Sequence, residues 1–248
     1  MMRAACLALA LLTACATSPD ASAPGRCELA ETPVVLLASG DPHGPNGKLL
    51  QVWTVADDPM LWSEASPSAS GYVDFLAKLK SSGVETDPVR LLKSAAPMKN
   101  NAVVIEHADA WIHPAGCLEK LLLGLQHERI DTLRTPTEFA SAVTQSPDGK
   151  RLKIYFYTVN QDGIGRASPF TDPAGNDVEQ GWTLKLVLHP HVFHPGDATL
   201  NGPVAPSVPD AGLAFNLREG LGLRASWITN GISTVRIPAS AFELFERE

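Results

Sequence analysis

The sequence predicts an α/β protein of the α+β type, a mixed β-sheet flanked by helices. Three observations carry that expectation. Leu118, Leu121, Leu122 and Leu125 fall at i, i+3, i+4 and i+7, the apolar stripe of a packed helix. Two strand-like runs then meet at Ser146-Pro147-Asp148-Gly149, the pattern of a hairpin. Further on, the strand "GWTLKLVL", the helix "PSVPDAGLAFNLREGLG" with its glycine stop, and the strands "ASWITNG" and "STVRIPA" follow one another. Such a succession folds onto a shared core, and 44% apolar residues in 248 are enough to fill one.

The N-terminus sets the expected compartment. "MMRAACLALALLTAC" joins one basic residue, Arg3, to an apolar run too short to span a bilayer, the layout of an export signal. Leu12-Thr13-Ala14-Cys15 resembles the bacterial lipobox, which implies cleavage before Cys15 and acylation of that cysteine. Residues 1–14 are then the lipoprotein signal peptide. Residues 15–26, small, polar and proline-bearing, are a tether to the membrane. The expected location is the bacterial cell envelope, lipid-anchored and facing the periplasm. Of the four cysteines, Cys6 leaves with the signal and Cys15 carries lipid, so Cys27 and Cys117 are expected to form a disulfide in an oxidising compartment. A loop of that length is stabilised by roughly 4 to 5 kcal/mol in the chain-entropy picture. Without residues 1–14 the chain carries 19 basic and 27 acidic residues, a net charge of −8, which argues against nucleic acid as a partner.

Residues 27–104 read as an N-terminal α/β region, with strands at 33–38 and 48–55 and a helix at 71–80, and offer no chemistry of their own. Residues 105–248 read as the functional domain. The apolar run "NAVVIEHADAWIHP" reads as a strand ending near Glu106 and His107, followed by the leucine-rich helix. An alternating strand starts at Glu138, and a Gly/Pro/Asp-rich loop covers roughly 161–180.

The chemistry concentrates in "KLVLHPHVFH", where His189, His191 and His194 stand within six positions. Alternate residues of a strand share a face, so His189 and His191 are placed to share one ion. The run H-x-H-x-x-H also resembles the metal motif of the metallo-β-lactamase fold, but Phe193 stands where that family has Asp and no histidine follows His194. Downstream, Ser207 and Asp210 have the S-x-x-D spacing at the start of a helix. Alone, that spacing describes a capping box worth around 1 kcal/mol.

Together, H-x-H after a strand and S-x-x-D opening a helix resemble the core signature of the JAMM (JAB1/MPN+) metallopeptidases. The resemblance implies a JAMM/cytidine-deaminase-like core with an N-terminal elaboration. It also implies zinc held by His189, His191 and Asp210, with Glu138 as general base and Ser207 stabilising the tetrahedral intermediate. Departures from the family pattern are Pro190 between the histidines and a long insertion, containing His194, between His191 and Asp210. The implied activity is hydrolysis of an amide or isopeptide bond in a cell-envelope peptide. The alternative is a non-catalytic lipoprotein that binds a partner through the same fold.

Other titratable residues have plainer expectations. "HERID" at 127–131 begins like the zincin H-E-x-x-H, but Asp131 replaces the second histidine, and a solvated helix surface is expected. Glu119 is the reserve candidate for the base. Glu106 and His107 read as a strand-end pair, and His43 as a turn residue.

Overall fold

The computed structural model describes residues 27–29, 31–64, 70–95, 98–195 and 201–247. The expected signal peptide, Cys15 and the tether lie outside the described residues. Eight strands form a single mixed sheet between two layers of helices. In chain order the strands are β1 (Val34–Ser39), β2 (Lys48–Ala56), β3 (Ile112–Pro114), β4 (Phe139–Gln145), β5 (Arg151–Thr158), β6 (Thr183–Pro190), β7 (Ala225–Thr229) and β8 (Ser233–Pro238). Their spatial order is β1-β2-β5-β4-β6-β7-β8-β3. The α/β class with a mixed sheet flanked by helices is therefore what the chain adopts.

The helices are α1 (Ser70–Ser82), α2 (Pro88–Ser94), α3 (Lys99–Glu106), α4 (Ala108–Trp111), α5 (Cys117–Arg129), α6 (Ser168–Glu179) and α7 (Val208–Leu221). One face of the sheet packs on α1 and α5, with Phe75, Leu79, Leu118 and Leu122 meeting Phe139, Ile154, Phe156 and Leu188. The other packs on α6 and α7, with Phe170, Ala174, Ala211 and Ala214 meeting Ala140, Ala142, Tyr155 and Val187. The break between residues 104 and 105 falls inside α3, and β2 pairs with β5 over eight residues, so the 27–104 region extends the same sheet. Cys27 and Cys117 are disulfide-bonded, with Cα atoms 5.5 Å apart, and tie the start of the described chain to the first residue of α5.

Three expectations need correction. The run expected as a strand before His107 is helix α3: Val103, Val104 and Ile105 favour a strand locally, but Asn100 and Val104 recur at helical spacing and are buried. The Asn100 amide donates to the Pro206 and Glu246 carbonyls, contacts that only the folded chain provides. The expected loop at 161–180 contains α6. Pro173 and Gly175 read as breakers, yet Phe170, Ala174 and Asp177 form a buried stripe at i, i+4 and i+7 whose packing outweighs the lost backbone bond. The strand expected to alternate from Glu138 is β4, buried on both faces because it lies inside the three-layer stack.

Candidate metal centre

β6 and β7 are the one parallel pair among the described strands, and α7 is the crossover between them. Such a crossover returns from the far end of β7's neighbour, so the start of α7 stands at the C-terminal end of β6. His189 and His191 are at that end. Backbone alternation puts them on the face of Val187, which is the face α7 covers. Pro190 lies beyond the last β4–β6 pair, at Leu188, where the ladder requires no further donor; His191 N–H resumes the other side by donating to the Thr229 carbonyl at 2.8 Å.

The first turn of α7 completes the cluster. Ser207 is the N-cap and Asp210 the N3 residue of a reciprocal capping box. Asp210 Oδ2 accepts from the Ser207 N–H at 2.9 Å and from the Ser207 hydroxyl at 2.6 Å, which fixes the carboxylate's rotamer. That same oxygen faces both imidazoles. His189 Nε2, His191 Nε2 and Asp210 Oδ2 form a triangle with sides of 3.3, 3.3 and 3.4 Å. The cap and the ligand roles of Asp210 therefore coexist in one side chain.

The triangle fits a small divalent ion. Ligand bonds of roughly 2.0 to 2.1 Å in a tetrahedron separate neighbouring donor atoms by about 3.3 to 3.4 Å. The orientation of the donors agrees: His191 Nδ1 lies 2.7 Å from the Pro203 carbonyl, which only accepts, so Nδ1–H donates there and Nε2 is left to face the cluster. A nearly equilateral set of two imidazoles and one carboxylate, half-buried, with His191 and Asp210 oriented by second partners, is a group that could hold a metal ion. It does not by itself select zinc over its neighbours in the periodic table.

Electrostatics in the metal-free cluster are strong. Burial opposes charge at His191, but the hydrogen bond and charge of Asp210, joined by Glu138, prevail and push it up to about 9. Burial likewise works to raise the Asp210 carboxyl, and the two imidazoles overcome it and hold that group far below the usual carboxylate range.

Glu138 shares the cluster's cavity. Ser141 pairs with Leu188 and Ala142 with Val187, and continuing this antiparallel register sets residue 138 opposite residue 191. Glu138 lies on the same sheet face as Ala140 and Ala142, the face of His189. Its backbone is held by N–H donation to Gln161 O at 2.9 Å and by the Thr158 hydroxyl on its carbonyl at 3.1 Å. A cavity of about 450 Å³ is lined by Glu138, His191, Ser207 and Asp210, together with His194 and Asp162. Burial pushes the Glu138 carboxyl above the usual range, against the pull of His191 and His189. His194 reaches the cavity wall, and its backbone N–H donates to Asn201 Oδ1 at 3.0 Å; it stands apart from the ligand triangle.

The remaining candidates lie elsewhere. Glu119 is fully buried beneath the opposite face of the sheet, paired with Arg236 at 3.0 Å, and shares no cavity with the histidines. His127 corrects the expected solvated surface: it is 5% exposed and bonds Asp74 and Thr132, both at 3.0 Å, closing the C-terminal end of α5. His107 stacks on Trp111 with centroids 4.2 Å apart. His43 is a turn residue whose Nδ1 bonds the Arg129 carbonyl at 3.0 Å. Asp162 is a cavity residue that sequence reasoning missed, because it sits in a glycine-rich loop with no periodicity to place it.

Comparison of the chain with protein-family models, with curated proteins and with solved structures returns no match.

Proposed function

We propose that the protein is an exported, zinc-dependent hydrolase of amide or isopeptide bonds, organised as in the JAMM metallopeptidases. The observation that carries this reading is that Glu138 lines the same cavity as His191 and Asp210, two members of the His189, His191 and Asp210 triangle, on one face of the sheet. A structural ion site has no use for a half-buried carboxyl of raised pKa beside it, whereas a hydrolytic site requires one.

His189, His191 and Asp210 would hold the ion, and such an ion supplies Lewis acidity that polarises a carbonyl and acidifies water. The chain's own groups then divide the remaining work. Glu138 accepts the proton of the attacking water and delivers it to the leaving amine. Ser207 orients Asp210 in the arrangement described above. To serve a developing oxyanion its O–H turns from Asp210 toward the cavity, while the Ser207 N–H keeps its hold on the carboxylate. The export signal and lipobox-like Cys15 support a substrate in the cell envelope, and we assign a peptide of the periplasm or wall cross-link.

The test is digestion of purified peptidoglycan and of defined peptides by the zinc-loaded protein, beside Glu138→Gln. Cleavage by the native chain and none by the variant, with equal zinc in both, is the expected result. Absence of cleavage at full metal occupancy would leave a metal-bearing binding module instead.

A further inference from the structure

A second cavity, of about 380 Å³, adjoins the metal pocket, and the two share Ile164 and Gly165 as a common wall. Their charged residues differ. The metal pocket carries Glu138, Asp162 and Asp210, whereas the second is lined by Lys48 and Arg166 and by no acid. Neither Lys48 nor Arg166 makes an ion pair among the described residues. Tyr157 also lines this cavity. It is 4% exposed, and its hydroxyl makes no hydrogen bond among the described residues. A phenol whose ring is buried and whose hydroxyl opens on the cavity, beside two cations with no ion-pair partner, is a set of donors that can meet an acceptor there.

The cavity is built from braced elements. Gln161 Nε2 donates to Asn46 Oδ1, and Asn160 Nδ2 donates to the Pro42 and Gly44 carbonyls, each at 3.0 Å. Asn46 and Asn160 both take left-handed backbone, with φ of 65° and 51°, so these two loops are locked against each other. Beneath them, the Tyr157 ring lies parallel to Phe170 in the core. Lys48 and Arg166 are exposed at the rim, where their charge reaches solvent and any entering group.

We propose that this cavity is a carboxylate subsite of the hydrolase, an inference that rests on the reading above. The substrate is a peptide whose scissile amide lies over the metal pocket and whose nearby carboxylate passes Ile164 and Gly165 to meet Lys48, Arg166 and the Tyr157 hydroxyl. The opposite orientation is disfavoured, since it would set that carboxylate against Asp162 and Glu138. An α-carboxylate at a chain end and an acidic side chain offer the same chemistry, and the probes separate them.

The experiment titrates three probes into the full chain in detergent, with and without zinc, and follows both binding and cleavage. They are N-acetyl-alanyl-alanine, its C-terminal amide, and N-acetyl-glutamyl-alanine amide. The expected result is that one carboxylate probe binds about tenfold more tightly than the neutral amide, in metal-free and zinc-loaded protein alike. Lys48→Ala with Arg166→Ala removes the preference, and Tyr157→Phe weakens it by about two- to threefold without altering the fold. Tighter binding of the alanyl-alanine acid identifies a chain terminus, and of the glutamyl probe a side chain. Equal binding of acid and amide, or a double variant that keeps the preference, overturns the subsite. Carboxylate preference without cleavage of any amide would keep the cavity as a carboxylate site and remove the hydrolase. Cleavage with no preference would remove the subsite alone.

Discussion

Two acid–cation clusters lie on opposite faces of the sheet, and they resemble each other only in composition. Glu119, fully buried, meets the largely buried Arg236 at 3.0 Å, with Gly116 so close over them that a Cβ there would stand 2.9 Å from the carboxylate and 3.1 Å from the guanidinium. Asp210 meets His189 and His191 at similar distances, but Asp210 and His191 line an open cavity, which neither Glu119 nor Arg236 does. The sealed pair has a fixed partner and can only hold the fold together. The open cluster has a partner that an ion can displace. Arg236 further stacks on Trp227 at 4.5 Å, so its cation is committed twice.

The comparison breaks most sharply in activity. Glu138→Gln should lower hydrolysis by about 10² to 10⁴-fold while leaving bound zinc unchanged, checked by metal analysis beside peptide cleavage. Equal activity in the variant would place the proton transfer elsewhere. Next in size, His189→Ala with His191→Ala should reduce zinc from near one equivalent to background, whereas Glu119→Gln should leave zinc content intact. Glu119→Gln should instead lower unfolding stability by about 1 to 3 kcal/mol in urea, the cost of leaving the largely buried Arg236 without its charged partner.

The pH dependence separates the two faces in another way. His191 of the metal-free protein is raised above its unfolded value, so its contribution to stability is fully present below about pH 6.5 and lost as pH rises through about 9. Asp210 is depressed, and its contribution is lost only in acid, so it does not vary over that interval. Chelator-treated protein should therefore lose urea resistance between pH 6.5 and 9.5, and zinc-loaded protein should not. At pH 7.5, zinc binding should release about one proton, read from calorimetry in buffers of different ionisation enthalpy. The smallest effect belongs to Ser207→Ala, which removes the cap for about 1 kcal/mol and loosens Asp210, lowering zinc affinity by about tenfold.

His189, His191, Ser207 and Asp210 were legible in the chain because each belongs to a local pattern, alternation at the end of a strand or a cap spacing, whereas Glu138, the residue before β4, entered only through the family resemblance those four carry. The cavity's other residues were not. Asp162 and Arg166 come from one loop and Lys48 from a strand start far away in sequence, joined through Asn160 and Gln161 side chains. Helix α6 was hidden for a related reason: Pro173 and Gly175 are local signals against a helix, and the burial of Phe170 and Ala174 that overrides them exists only after folding.

By itself the sequence determined the α/β class, the order of most elements, the Cys27–Cys117 pairing and the identity of the two strand-end histidines, since periodicity, caps and cysteine number act over short distances or by elimination. Tertiary structure alone decided that β4 runs antiparallel beside β6 while α7 returns over their shared face. That arrangement brings residues from three elements into one cavity, and it depends on register and packing between segments up to 72 residues apart, from Glu138 to Asp210, which no local pattern encodes.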